Sequence, residues 1–193
     1  MSYSVKVSIY KVADWLLATL SGVEPEEVFY LESLSKCVTV RDAKTLGNRD
    51  LRISNIEDSY VYIDTNVKHI SIVNCVNTTI MVAAVSKVCT LDKCESVTLS
   101  VAANFLRIGN SIDCKVYAFT TSGPPVLFGD NRSVTLAPHN VSYAELLGHL
   151  KNAGLESEGA NTAHFEKPIV VRGDKEKNWT LMPPRDFFRL PLP

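Results

Sequence analysis

Between residues 51 and 140 the chain repeats itself about every nineteen residues, and a repeat of that length leaves few folds open. Segments 51–56, 70–75, 89–94, 106–110 and 126–130 each open with apolar residues at i and i+2, then turn through Asn, Asp or Lys. A second run follows in each repeat, at 60–63, 79–82, 97–101, 115–119 and 133–136. Alternation with a period of two marks strands, and the short polar corners between them mark turns. No part of this stretch holds a helical period long enough for a crossover helix. Strands so spaced predict a coil whose successive turns stack, a parallel β-helix. The alternative, an antiparallel sandwich, would call for stronger Asn-Gly or Asp-Gly hairpin signals than are present.

Stacking has a physical reason. A single turn cannot bury its inward Leu, Ile, Val and Cys side chains, whereas stacked turns share one continuous core. Asn55 and Asn74 fall at equivalent corners, where Asn tolerates left-handed geometry and bonds to neighbouring backbone. The exposed strand edges at both ends of such a coil need caps. Segments 11–20 and 24–36 read as helices, the second with Pro25 in its first turn beside Glu26 and Glu27. A further helix is expected between Tyr143 and Leu155, with Ser142 and Glu145 as a capping box and Gly154 as its stop. The expected organisation is a helical N-terminal segment over 1–44, the β-helix over 45–141, and a C-terminal helix and strap over 142–193 completing the same domain. The strap is expected to fold back and bury Phe187, Phe188, Leu190 and Leu192, with Trp15 and Trp179 as core or cap residues.

With 193 residues, 46% of them hydrophobic, the chain can bury a sizeable core without staples. A formal charge of −1 gives no global attraction to nucleic acid or anionic membrane. No apolar run reaches the length of a membrane span, and the start lacks a signal-peptide pattern. Ser2 and the Leu-Pro ending point away from myristoyl or prenyl anchoring, so a cytoplasmic location is expected. Cys37, Cys75, Cys89, Cys94 and Cys114 show no CxxC spacing. Cys75 and Cys94 occupy the same place in adjacent turns and are expected to be stacked, buried thiols.

Chemistry-bearing motifs are few. His69, His139, His149 and His164 are scattered without metal-ligand spacing, so no metal is expected. Gly123, Gly129 and Gly148 belong to no phosphate-binding loop, so no cofactor is expected either. The basic residues, including Lys175, Lys177 and Arg185, are spread out as solvated positions rather than as a nucleic-acid stripe. One residue stands apart. Arg107 lies between Leu106 and Ile108, so a strand that buries those two turns Arg107 to solvent. A free guanidinium on a rigid strand suits recognition of carboxylate or phosphate, or insertion into a partner's nucleotide site. Arg52 occupies the similar slot of an earlier turn, and spacing alone favours the plainer reading, two surface arginines on a polar face.

Several segments, in order, carry a resemblance. Asn104-Phe-Leu-Arg-Ile108, Ser133-Val-Thr-Leu-Ala-Pro138, the helix after Tyr143, Ala153-Gly-Leu155 and Asn178-Trp-Thr-Leu-Met-Pro183 together resemble the tubulin-binding cofactor C domain. The stretch from Pro124 to Pro138 and the tail from Leu181 to Phe188 are most similar to the branch of domain-containing protein 1 type. The resemblance runs over roughly residues 45–193. It implies a right-handed parallel β-helix with a helical N-terminal cap and a C-terminal helix plus strap.

For function the resemblance implies two classes. In cofactor C and its retinal relative, the domain activates GTP hydrolysis on tubulin or an Arf-like GTPase through an arginine finger set in Gln-x-x-Arg. Arg107 matches that arginine, the candidate catalytic residue, and Asn104 stands where the glutamine would be; both are candidate partner-binding residues. A chain acting in this way would be a GTPase activator, not an enzyme with its own substrate pocket. The nearer branch implies instead a non-catalytic interaction module of the cytoskeleton, associated with centrosomes, basal bodies and organelle positioning. Its partners would be cytoskeletal or centrosomal and basal-body proteins, at the microtubule-organising centre.

Overall fold

The computed structural model describes residues 27–46, 49–156, 163–171 and 178–190. Its elements are β1 (Val28–Glu32), β2 (Val38–Asp42), α1 (Ala43–Leu46), β3 (Asp50–Ser54), β4 (Tyr60–Val73), β5 (Thr79–Asp92), β6 (Thr98–Gly109), β7 (Lys115–Thr120), β8 (Val126–Phe128), β9 (Val134–Pro138), α2 (Leu146–Asn152), β10 (Ile169–Val171) and β11 (Trp179–Leu181). Every strand pairing among the described residues is parallel, and the strands stack as a β-helix. The antiparallel sandwich is thereby excluded. One face stacks β1, β3, the second halves of β4, β5 and β6, then β8 and β10. The other stacks β2, the first halves of β4, β5 and β6, then β7, β9 and β11.

The alternation settles which side chains are buried. Leu51, Ile70, Cys89 and Leu106 form one inward column, and Ile53, Ile72, Leu91, Ile108 and Leu127 the next, all buried. Register between turns keeps like on like, so each column is continuous along the coil. Leu46 of α1, fully buried, joins this core near the first turn, where Phe29 and Leu34 pack too; Phe165 and Trp179 pack against it at the far end.

The repeat sits in register with the structure except in two places. Where a helix over 24–36 is expected, the described part forms β1, because the run Val28-Phe-Tyr-Leu31 is β-branched and aromatic and pairs residue by residue with β3. The β-helix thus already has strands at Val28–Glu32 and Val38–Asp42. The helix expected over 11–20, with Trp15, lies outside the described residues. The second departure is in the last turn. Val126 pairs with Arg107, not with Leu106, so Leu127 points inward while Val126 and Phe128 are half-exposed on the outer face. Three consecutive apolar residues carry no alternation from which that parity could be read.

Each turn has a corner with two left-handed residues. Ser33 and Lys36, Asn55 and Asp58, Asn74 and Asn77, Lys93 and Ser96, and Asn110 and Asp113 all have φ between 46° and 57°. Gly129 and Ser133 repeat the pattern one turn further on. In three of these corners the residue after the first left-handed position turns inward, and its polar atom bonds to the carbonyl two residues earlier: Cys75 to Val73, Cys94 to Asp92, Ser111 to Gly109. These donors add a second bond to carbonyls that already accept the N–H of Asn55, Asn74 and Lys93 from the neighbouring turn. Asn110 links three turns: its amide donates to Asp92 Oδ1 at 2.8 Å, and its Oδ1 accepts the Asp130 N–H at 3.2 Å. Asn110→Ala removes both bonds and leaves a Cβ-bearing residue without a helper in left-handed geometry. The expected loss is about 2 kcal/mol in urea unfolding; a loss below about 0.5 kcal/mol would show that this ladder contributes nothing beyond the general scatter of surface changes.

The C-terminal helix is shorter than its sequence signals suggest. α2 is preceded by Glu145, which makes no side-chain cap, so the Ser142–Glu145 capping box does not form. Gly154 does stop it: at φ 68° its N–H bonds to Lys151 O, and the Leu155 N–H bonds to Leu150 O. Ala153 and Leu155 pack on Ala84 and Ala102, whose small size admits them. Tyr143 OH meets His149 Nδ1 at 2.7 Å, and burial pushes the Tyr143 hydroxyl above its ordinary pKa. The strap forms: Asn140 bonds to Phe188 O and to the Leu190 N–H, and Leu190 packs with Tyr62, Met81 and Val141. Phe187 and Phe188 lie edge-on to the buried Tyr117 ring, with centroids at 6.0 and 5.6 Å. They remain 36% and 45% exposed, so they cover Tyr117 without being buried themselves. Leu192 lies outside the described residues.

All five cysteines are free thiols, four of them buried. Burial raises Cys89 to about 12 and Cys114 to about 11, from 9.0. The native state thus holds these protons more tightly than the unfolded chain. The stability this represents is complete below pH 9.0 and is lost as pH rises through 11 to 12. At pH 8, iodoacetamide is expected to label half-buried Cys37 first and the four buried thiols only after unfolding. Mass spectrometry reads the count, and rapid labelling of Cys89 in the native protein would contradict the continuous core.

Candidate functional site

The candidate site grows out of β6. Leu106 and Ile108 are fully buried in adjacent inward columns, so the backbone between them is fixed and Arg107 is presented outward, exposed. In the next turn Val126 pairs with Arg107 and Ile169 pairs with Val126, giving an outer row of Arg107, Val126 and Ile169. Beside it runs a second row of Gly109, Phe128 and Val171. Ile169 and Val171 are 50% and 47% exposed. The guanidinium carbon of Arg107 lies 4.9 Å from the centre of the Phe128 ring, within cation–π range. That ring occupies the space over Gly109: a Cβ there would fall 2.2 Å from its Cζ. Among the described residues no carboxylate pairs with Arg107. The result, among the described residues, is a cation without a carboxylate partner on a stiff strand beside an exposed apolar patch.

Asn104, three residues earlier on the same strand, does a different job. Its Oδ1 accepts from the Thr121 hydroxyl at 2.9 Å and from the Ser122 hydroxyl, and its main-chain O accepts the Ser122 N–H at 3.0 Å. Asn104 thereby ties down the loop that leads from β7 into β8, the strand carrying Val126 and Phe128. The loop is held further by Thr120 Oγ1 donating to Gly123 O and by His164 Nδ1 donating to Thr120 O. The structure brings Arg107 and Asn104 to one strand, with the guanidinium outward and the Asn104 oxygen engaged by its own fold. Arg52 shares the outer row of Arg107 through Ser71 and Thr90, and its own neighbours in that row are Tyr30 and Ser71.

Phe128 and Gly109 are the residues that sequence reasoning missed. Their signal was a Gly in one turn answering an aromatic ring in the next, which becomes visible only once the turn-to-turn register is known. Elsewhere the chemistry is sparse. Among the described residues no cluster of three His, Cys, Asp or Glu could hold a metal ion. A cleft of about 560 Å³ opens between Ala43, Asn66, Lys87 and Asn152, at residues separate from those around Arg107. His69 is paired with Asp50 at 3.1 Å, and burial pulls His139 down to about 4.

A coiled parallel β-sheet that presents side chains on a rigid outer face defines a class, the β-helical domain with a surface site and a packed interior. The family model described as tubulin binding cofactor C matches residues 48–166. The chain belongs to the tubulin binding cofactor C family. Among curated proteins it is similar to TBCC domain-containing protein 1 of Xenopus tropicalis, 24% identical over 165 residues, covering 84% of this chain and 29% of that protein. It is likewise similar to the protein of that name from Mus musculus, at 24% identity over 86% of this chain and 30% of that protein. The Homo sapiens protein of that name is 23% identical over 84% of this chain and 29% of its own length. The chain thus spans less than a third of the length of the relatives it matches.

Proposed function

We propose that this chain is a non-catalytic interaction module of the cytoskeleton, acting in the cytoplasm at the microtubule-organising centre, centrosome or basal body, and in organelle positioning. The outer face around Arg107 is its partner-binding surface. The observation that carries this reading is the pairing of an exposed guanidinium, without a carboxylate partner among the described residues, with Val126, Phe128, Ile169 and Val171 on one rigid face. Arginine and aromatic anchors beside apolar area are what protein interfaces concentrate. The family's name supplies the first partner to try, tubulin. A tagged chain is expected to concentrate at the microtubule-organising centre, and its Arg107→Ala variant to disperse; equal distribution of the two would sink this reading.

A second reading is favoured by one observation. Among the described residues Arg107 has no carboxylate partner, and it projects between the fully buried Leu106 and Ile108, as an inserted arginine finger requires. Such a group stabilises charge on the transferring phosphoryl and is worth ~10³–10⁵ in rate. The chain would then activate GTP hydrolysis on tubulin or an Arf-like GTPase. Against it stands Asn104, whose oxygen is engaged by Thr121 and Ser122 and is one methylene shorter than glutamine. Single-turnover GTP hydrolysis by tubulin and by Arf-like GTPases, with the native chain and Arg107→Ala side by side, separates the readings. Stimulation lost in the variant establishes the activator; an unstimulated rate with both leaves the interaction module.

A further inference from the structure

The Arg107 side chain is long, exposed and, among the described residues, without a carboxylate to hold it, so by itself it would sample many rotamers and lose that freedom on binding. Three features of the fold counter this. Phe128 lies under the guanidinium at 4.9 Å. Phe128 is in turn seated where Gly109 has no side chain, and any Cβ at that position would collide with its ring. The strand carrying Phe128 is delivered by the loop that Asn104 ties through Thr121 and Ser122. We propose that Phe128, seated on Gly109, is a positioning residue that preorders the Arg107 guanidinium for an anionic group on the partner, and that Asn104 serves this arrangement by anchoring the loop. The inference rests on the reading of this face as the partner surface. The partner it fits presents a carboxylate or phosphate next to an apolar side chain, the first for Arg107 and the second for Val126, Ile169 and Val171.

The test has two arms that fail separately. In the free protein, the Arg107 Nε–Hε resonance, assigned by its loss in Arg107→Ala, is expected to carry a ring-current shift. That shift collapses in Phe128→Leu, which keeps an apolar side chain of similar reach. It also collapses in Gly109→Ala, which displaces the ring while changing neither Arg107 nor Phe128 in the sequence. With soluble tubulin as probe, both variants are expected to bind roughly three- to tenfold more weakly at an unchanged unfolding midpoint. The Arg107→Ala/Phe128→Leu double variant is expected to bind no more weakly than Arg107→Ala alone, since the ring acts through the guanidinium. A resonance that does not move in either variant, or losses that simply add in the double variant, overturns the positioning role. If the resonance moves but Arg107→Ala binds tubulin as the native chain does, the interface reading falls and with it the purpose assigned to the stack.

Discussion

Leu91→Ala is expected to lower the unfolding free energy by about 3 kcal/mol, the middle of the range for a leucine truncated in a rigid core. Leu91 is fully buried and sits at the centre of the column Ile53, Ile72, Leu91, Ile108 and Leu127. The turns above and below are pinned by parallel ladders on both faces, so the surroundings can collapse only slightly into the space left. Thr90, its outward neighbour, offers an internal control: Thr90→Ala touches no inward column and is expected to cost less than about 0.5 kcal/mol. Denaturant unfolding of the two variants reads the difference. Similar losses would mean that the inward column is not the continuous core described.

Arg107→Glu is expected to weaken association with tubulin by at least about thirtyfold, some 2 kcal/mol. Reversal does more than truncation, because it places a carboxylate against the anionic group that the guanidinium is suited to meet. Arg107→Lys is expected to recover only part of the affinity, since an ammonium neither stacks on Phe128 as a flat guanidinium does nor offers a fork of donors. Arg52→Glu, on the same outer row but between Tyr30 and Ser71, three turns from Arg107 and further from Val126 and Ile169, is expected to change affinity little. The contrast distinguishes a site at Arg107 from a general effect of charge.

Much of the fold was legible because a β-helix writes its register into its sequence. Leu51, Ile70 and Cys89 align by inspection, and they share an inward column. Asn55 and Asn74 were recognisable as corners because left-handed geometry favours Asn, and both have φ above 50°. Legibility failed where local pattern was silent or misleading. Val126-Leu127-Phe128 is apolar on both faces because its outer face carries the patch beside Arg107, so alternation could not fix its parity. Glu27 following Pro25 looked like a helix start, yet the run from Val28 to Leu31 completes a turn with β3, and pairing outweighs a local signal. At the site, Arg107 followed from strand alternation alone. Its ring platform did not, since Gly109 and Phe128 are nineteen residues apart and meet only across a turn. Nor did the engagement of Asn104, which depends on hydroxyls in a loop without periodicity.

The central claim is that the face around Arg107 binds a cytoskeletal partner without accelerating its chemistry. Its most direct test is an equilibrium titration of labelled, GTP-loaded tubulin with the native chain and with Arg107→Ala, GTP turnover being followed in the same samples. The account predicts saturable binding by the native chain, clearly weaker binding by the variant, and a hydrolysis rate that neither changes. Equal affinity of the two proteins, or turnover that the native chain accelerates and the variant does not, would contradict it.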